Sequence, residues 1–135
     1  MSLLTWSDEY SVNIKEIDNQ HRQMIEMVNQ LQRAMKEGKG ANVLNDILQR
    51  LIDYTDYHFS TEERLMEAYN YPGYIHHKAE HAKLIRQVQE FQRQYRQNPT
   101  GLAVQLLNFL KSWITNHILQ TDKQYSRYLN NQGVT

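Results

Sequence analysis

The chain has 135 residues, of which 40% are hydrophobic and 22% charged, as is typical of one folded globular domain rather than a disordered segment. Its 15 basic and 15 acidic side chains give a formal net charge of zero, so it lacks the basic surface that nucleic acid binding requires. It contains no cysteine, which excludes disulfides, iron–sulfur clusters and thiol catalysis. Any metal site must therefore use histidines and carboxylates.

No apolar run approaches the roughly 20 residues needed to cross a bilayer. The first ten residues lack the charged region and the following apolar stretch of a signal peptide. We therefore expect a cytoplasmic protein without a membrane partner, organised as one domain over residues 1–135. The sequence does not indicate a protein partner or an oligomeric state.

Glycine and proline are scarce and cluster at three breaks, which are residues 38–40, 71–73 and 98–101. Between the breaks, apolar residues recur at helical spacing, and we find no strand pattern. The predicted helices cover residues 18–37, 42–68, 74–96 and 102–128. Asp18 is the expected N-cap of the first helix. Residues 1–17 should form an N-terminal arm that docks on the bundle through Trp6, Val12 and Ile14, and residues 129–135 a tail.

The short connections predict that sequential helices are antiparallel neighbours, which gives an all-α, up-down-up-down four-helix bundle. In this topology the starts of the first and third helices meet the ends of the second and fourth. The potential metal ligands at these positions are His21, His58, Glu62, His77, His81, His117 and Asp122. Because each lies on or next to the apolar stripe of its helix, we expect them to interrupt the core at one level.

Residues four apart on a helix share a face, so His58 with Glu62 and His77 with His81 each direct two potential ligands inward. Several neutral imidazoles that face one another in a core are poorly satisfied without a cation. Imidazole suits iron, zinc, copper and nickel, and carboxylates can bridge two harder ions. Five histidines with two carboxylates are too many ligands for one tetrahedral zinc ion, and they suit two metal ions.

Two positions need a geometric account. Asp122 follows His117 by five residues, which on an ideal helix is about 140° from a common face. Either Asp122 reaches in from the edge of the stripe or the helix widens locally.

His76 forms its own i,i+4 pair with Glu80, but it should point about 100° away from His77. We interpret His76 and Glu80 as a solvated pair.

The chain carries a set of motifs at consistent spacing, which are Trp6, Ile17-Asp18-x-Gln20-His21, His58-Phe59-x-x-Glu62-Glu63-x-x-Met66, Tyr71-Pro72, His77-x-x-x-His81 and Trp113-x-x-x-His117-x-x-x-x-Asp122-x-x-Tyr125. Together these motifs resemble the hemerythrin family, and within it the single-domain bacterial form. The resemblance covers nearly the whole chain. Seven potential ligands in the right order and spacing make it specific.

This resemblance implies a centre of two iron ions (Fe2+/Fe3+), bridged by an oxo or hydroxo group, that binds dioxygen reversibly. The implied ligands are His77, His81 and His117 on one iron, His21 and His58 on the other, and Glu62 and Asp122 across both. Together with the bridging oxygen they fill about eleven of the twelve positions of two six-coordinate ions. The position left, on the iron with two histidines, would receive oxygen.

Four further residues follow from the resemblance or lie beside the implied ligands. Trp113 and Ile114 match the positions that line the family's oxygen pocket. The family often has leucine where this chain has Ile114, which keeps the pocket apolar and leaves its shape and the autoxidation rate open. Tyr125 either donates a hydrogen bond to a bridging carboxylate or only packs in the core. We interpret Glu63 as a surface or supporting residue, and the nine tyrosines as helix-packing residues whose spacing indicates no radical relay.

Reversible oxygen binding, for storage, delivery or scavenging, is the function that these features predict, and we do not expect an enzyme. One alternative is a module that senses oxygen, redox state or nitric oxide, although such sensors are usually fused to signalling domains that we do not find here. Another is a di-iron oxidase, peroxidase or nitric oxide reductase. Ferritin-like oxidases are rich in carboxylates, whereas this histidine-rich site leaves little room for a substrate.

Overall fold

The structure is a computed structural model that describes residues 4–135, apart from the side chains of residues 41 and 99–103. A short 3-10 turn, Asp8–Tyr10, precedes the bundle. The helices are α1 (Lys15–Lys36), α2 (Ala41–Ala68), α3 (Tyr74–Gln97), α4 (Pro99–Asn116) and α5 (Lys123–Asn131). A π-helical turn, His117–Asp122, joins α4 to α5, so these two helices form a single rod. Over residues 4–135 there is no strand, and the predicted all-α four-helix bundle is confirmed.

Each rod packs against the next one in sequence, and α4 also packs against α1, which closes the bundle. The buried face of α1 illustrates why the rods form. Met24, Val28 and Leu31 recur every three to four residues and are at most 2% exposed. Burying a side chain of this kind contributes about 1.5–3 kcal/mol. None of the helices in the described part of the chain is long and apolar enough to cross a membrane.

Two tight turns set the relative heights of the first three rods. At the end of α1, Gly38 adopts φ +71°, a left-handed conformation that glycine adopts without strain. Asn70 plays the same part after α2 with φ 55°, and asparagine is among the few other residues that tolerate it. In both turns, two backbone N–H groups donate back to the last carbonyls of the helix. The second turn places the start of α3 beside the end of α2.

The first helix begins at Lys15, three residues before the predicted start, and the prediction that Asp18 is its N-cap is wrong. Asp18 instead lies in the first turn of α1, where its carboxylate accepts hydrogen bonds from Ser11 Oγ at 2.6 Å and from Val12 N at 2.8 Å. A carboxylate is favourable there because the first turn leaves backbone N–H groups unpaired and partly positive. The residue thus fastens the arm to the helix.

The N-terminal arm lies along α1 and buries Val12 and Ile14. Nearer the N-terminus, the backbone N–H of Leu4 donates a hydrogen bond to Asn29 Oδ1 at 3.0 Å. Asn29 Nδ2 donates in return to the Leu4 carbonyl at 2.8 Å. The guanidinium of Arg22 lies 4.6 Å from the ring centre of Trp6. As expected, then, the arm docks on the bundle through its apolar residues and Trp6.

The fourth rod runs past its predicted end at residue 128 and includes Leu129, which is fully buried. Its buried positions change phase once. Leu106, Leu110 and His117 face the core up to the first residue of the π-helical turn, and Tyr125 and Leu129 do so after the turn. A regular α-helix would instead continue this face through residues 121, 124 and 128. The wide turn therefore absorbs one residue and returns the rod to the core.

We expect Asp18→Ala to lower the free energy of unfolding by about 2 kcal/mol, because it removes two hydrogen bonds to a buried charged group. Urea denaturation of metal-free protein would measure the change. Asp46→Ala, at an exposed position of α2, is the matched control and should leave the stability within about 0.5 kcal/mol. Equal stability of the two variants would show that the arm is not held by this carboxylate.

Candidate metal centre

The side chains predicted as ligands come together at one end of the bundle, and all are at least nine-tenths buried. They fall into two groups, within each of which one ligand atom per residue lies within 4.8 Å of every other. The first group contains Glu62, His77, His81, His117 and Asp122, and the second contains His21, His58, Glu62 and Asp122. The two carboxylates belong to both groups, so the cluster has two overlapping centres rather than one.

The position of each carboxylate explains this overlap. Asp122 Oδ1 lies 2.9 Å from His117 Nε2 and 3.3 Å from His77 Nε2, whereas Oδ2 lies 3.0 Å from His21 Nε2. Asp122 therefore presents one oxygen to each group. Glu62 Oε1 lies 3.1 Å from His58 Nε2 in the second group and 3.4 Å from Nε2 of a first-group histidine, His81. Both carboxylates stand between the two sets of imidazoles.

Asp122 reaches this position because the fourth rod widens between it and His117, which is the second of the two geometries considered above. A π-helical turn holds more residues per turn than an α-helix, so a step of five residues returns closer to the same face. Such turns occur mostly as single insertions within α-helices, often at functional sites. The separation of five residues between His117 and Asp122 was the sequence signal for it.

Two residues outside the cluster fix the direction of the imidazoles. His58 Nδ1 lies 2.7 Å from Gln20 Oε1, and His81 Nδ1 lies 2.9 Å from Glu63 Oε2. Both oxygens are acceptors, so each Nδ1 must carry the proton and each Nε2 keeps its lone pair towards the cluster. This arrangement is common among metal-binding histidines.

Gln20 was not assigned a role from the sequence, although it lies one turn before the buried Met24 and is itself 5% exposed. Its amide is further held by a 3.3 Å hydrogen bond from Nε2 to Thr61 Oγ1. A polar side chain on the inward face of a helix was the available signal. Of the two interpretations given for Glu63, a surface or a supporting residue, its contact with His81 favours the second.

Aromatic and aliphatic side chains surround the cluster. The ring of Phe59 stacks on that of His81, with centroids 3.7 Å apart and planes 2° apart, a contact that the sequence did not predict. Trp113 and Ile114 are buried on α4, and the indole ring lies 6.0 Å from the ring of His117. Tyr125 is fully buried. Of the two interpretations left open for it, the structure shows the hydrogen bond, which its hydroxyl donates to Glu62.

His76 lies outside the cluster, as predicted. Its side chain is 83% exposed, and its Nε2 lies 3.1 Å from Glu80 Oε1. The pair belongs to the surface of α3, one residue out of phase with His77 and His81. Its exposure makes it a natural control for the buried histidines of the same helix.

Several donor atoms of the cluster face one another without a hydrogen bond. The buried atoms that lack a hydrogen-bonding partner include His21 Nε2, His58 Nε2, His77 Nε2, Glu62 Oε1 and both oxygens of Asp122. Buried polar atoms are normally satisfied. Lone pairs that converge in this way fit metal cations, and the residues present suit a pair of them.

The charges of the cluster also favour cations. Burial acts to lower the pKa of His117, but the carboxylates of Asp122 and Glu62 outweigh it and raise that pKa to about 10. Burial and the charge of Glu62 act to raise the pKa of Asp122, but the neighbouring histidines, His117 above all, lower it. Burial dominates at His21 and lowers its pKa. The two carboxylates therefore stay ionised, and their negative charge attracts positive partners.

The fold and the site together define a four-helix bundle whose core holds a donor set suited to metal cations. The family model of the hemerythrin HHE cation binding domain matches residues 12–129. A bacteriohemerythrin of Stenotrophomonas maltophilia (strain R551-3) is 36% identical over 126 residues, which are 93% of this chain and 81% of that protein. The chain therefore belongs to the hemerythrin family.

Other relatives agree in length and shape. A bacteriohemerythrin of Methylococcus capsulatus (strain ATCC 33009 / NCIMB 11132 / Bath) is 32% identical over 126 residues, which are 93% of this chain and 95% of that protein. A crystal structure of wild-type hemerythrin matches with a TM-score of 0.83 at 31% identity, and the match covers 93% of this chain and 97% of that one. The similarity thus extends over the whole bundle rather than a local motif.

We expect His81→Ala to lower the metal content of the purified protein at least two-fold, because it removes a donor from the first group. Elemental analysis of protein purified under iron-replete conditions would measure that content. His76→Ala, in the same helix but exposed, should keep the wild-type content. Loss of iron from the His76 variant instead would mean that the register of α3 at the cluster is wrong.

Proposed function

We propose that this domain holds two iron ions in its core and uses them to bind dioxygen reversibly. The observation that carries the proposal is that the two donor groups share Glu62 and Asp122, which is the arrangement that two neighbouring ions need. The proposed ligands are His77, His81 and His117 for one ion, His21 and His58 for the other, and Glu62 and Asp122 for both. A bridging oxo or hydroxo group would complete the pair. Relatives named bacteriohemerythrin support this function.

The two groups differ in the number of donors, and this difference supports one side of the cluster as the proposed place of gas binding. The first group offers three imidazoles and two carboxylates, whereas the second offers two imidazoles and the same carboxylates. Iron of this kind accepts about six ligands. The side of His21 and His58 therefore leaves room for a diatomic molecule, and the donor set leaves little space for a larger substrate.

When bound, a pair of ferrous ions would supply the two electrons that dioxygen binding requires and would recover them on release. The protein's contribution is to keep that exchange reversible. Gln20 and Glu63 hold the imidazoles of His58 and His81 with their lone pairs directed inward. Tyr125 donates to Glu62 and holds that carboxylate between the two groups. Fixed ligands of this kind need little rearrangement when the charge of the centre changes.

Exclusion of water is the second contribution. Ile114 is 1% exposed and lies one turn before His117, while Trp113 lies beside the same histidine. Water and protons promote irreversible loss of the bound gas as a reduced species, which leaves an inactive ferric site. We propose that these two side chains form the apolar wall that keeps them out.

The proposal predicts that deoxygenated, reduced protein takes up about one dioxygen per pair of iron ions. The gas should return under vacuum and leave the optical spectrum of the reduced protein unchanged. An anaerobic titration followed by optical spectroscopy would measure both stages. Steady consumption of oxygen with release of a product would favour an oxidase instead. Tight binding without release, accompanied by movement of the N-terminal arm, would favour a sensor.

We expect Ile114→Ala to speed autoxidation several-fold, because it opens the apolar lining of the whole cluster to water. The decay of the oxygenated spectrum at fixed temperature and pH would measure the rate. Ile47→Ala removes the same number of buried atoms from α2, about three turns before His58, and is the matched control. Similar rates in the two variants would assign the effect to general loosening of the core and not to the proposed pocket.

A further inference from the structure

A series of tyrosine rings leads away from the cluster at the end of the bundle. The ring of Tyr125 packs edge-on against that of His77, with centroids 5.2 Å apart, and its hydroxyl donates to Glu62. The ring of Tyr71 lies 6.5 Å from that of Tyr125, and the ring of Tyr128 lies 5.4 Å from that of Tyr71. We call Tyr125, Tyr71 and Tyr128 the tyrosine route.

The route passes from the core to the surface. Tyr125 is fully buried, whereas Tyr71 and Tyr128 are partly exposed. The hydroxyl of Tyr128 donates to the backbone carbonyls of Tyr69 and Asn70 at 2.7 Å and 3.2 Å, in an exposed part of the turn between α2 and α3. The spacing of the tyrosines along the sequence does not reveal the route, because its middle ring comes from a different part of the chain.

The chemistry of phenols gives this arrangement a use. Tyrosine is among the side chains most easily oxidised by one electron, and the loss is easiest when the phenolic proton can pass to a hydrogen-bonded base at the same time. Tyr125 has such a base in Glu62. Rates of electron transfer fall steeply with distance, so rings in contact favour successive short steps over one long step. Phenylalanine keeps the packing of such a ring but is far harder to oxidise.

We propose that the tyrosine route conducts oxidising equivalents from the metal centre to the surface when hydrogen peroxide reaches the iron ions. The inference rests on the proposed function, because it requires bound iron. It adds a protective activity to oxygen binding. The rings of His77 and Tyr125 are in contact, so the alternative fate of an oxidising equivalent is damage to the proposed ligands themselves.

The electrons and protons balance as follows. Hydrogen peroxide takes two electrons from the ferric form of the centre and two protons from water, and becomes two water molecules. Tyr125 returns one electron to the centre while its phenolic proton passes to Glu62. Tyr71 then reduces Tyr125, which recovers its proton from Glu62, and Tyr71 gives its own proton to water. Tyr128 reduces Tyr71 in turn, and Tyr71 regains a proton from water. The net change is that Tyr128 loses one electron to the centre and one proton to water, and the second of the two oxidising equivalents stays at the centre.

The test treats the iron-loaded full chain with hydrogen peroxide in the presence of a nitroso spin trap and locates the adducts by peptide mass spectrometry. We expect the main tyrosine adduct on Tyr128. Tyr71→Phe should lower that adduct several-fold and raise oxidation of His77, since the equivalent stays at the centre. Tyr54→Phe is the matched control, because Tyr54 contacts only Tyr57 among the aromatic rings of the described residues. It should leave the adduct unchanged.

If tyrosines were labelled only according to their exposure to solvent, the opposite result would be expected. Tyr57 is 55% exposed and is not in ring contact with the route, so direct attack from solution should label it at least as strongly as Tyr128. Equal labelling of these two tyrosines would overturn the proposal. So would a Tyr128 adduct that persists in Tyr71→Phe, or one that forms equally in metal-free protein.

Two measurements on the same samples keep the outcomes separate. Iron content shows whether each variant is loaded, and Tyr125→Phe serves as a second interruption of the route should Tyr71→Phe fail to fold. Reversible oxygen uptake is measured independently of peroxide. If the protein binds and releases oxygen but fails the labelling test, the proposed tyrosine route is overturned and the proposed function stands. If the protein holds iron but does not take up oxygen reversibly, the proposed function is overturned. The labelling of Tyr128 would still test the tyrosine route.

Discussion

The constraint on which this molecule depends is the burial of two ionised carboxylates among five imidazoles in the core of a small bundle. Isolated charges in such a place cost far more free energy than a domain of this size has available. Glu62 Oε1, both oxygens of Asp122 and the Nε2 atoms of three histidines converge there without a hydrogen-bonding partner. This end of the core is poorly suited to apolar packing and well suited to holding cations. The free energy of metal binding should therefore contribute to the stability of the folded domain.

The rest of the structure serves this cage at increasing distance. The turns after α1 and α2 bring the first three rods to a common height, and Gln20, Glu63 and Tyr125 fix the direction of the polar groups. Phe59 and Trp113 cover the imidazoles with aromatic surface. Beyond the cage the bundle becomes ordinary, with Leu48, Leu106 and Leu110 fully buried. Function occupies one end of the rods, and the other end supplies conventional packing.

The number of helices, their order and the shared height of the seven cluster residues could be predicted because all three follow from local periodicity and short connections. Contacts between distant segments could not. Asp18 looks like a helix cap in the sequence, yet its partners lie in the arm that precedes α1. Gln20 and Phe59 gain their positions from rods that the sequence places far away, and only the three-dimensional packing brings them to His58 and His81. Periodicity reports which face a residue occupies and not what it meets there.

The widened turn in the fourth rod has a consequence for how such sequences are compared. Leu106, Leu110 and His117 follow one helical frame, and Asp122, Tyr125 and Leu129 follow a frame displaced by one residue. If one residue of the turn is left out of the sequence, the buried positions on both sides share a single helical register, as in a regular bundle helix. The fourth rod can therefore be regarded as a regular bundle helix that carries a one-residue insertion. An alignment of this rod with a regular α-helix that leaves no gap across the turn will misplace one of the two halves.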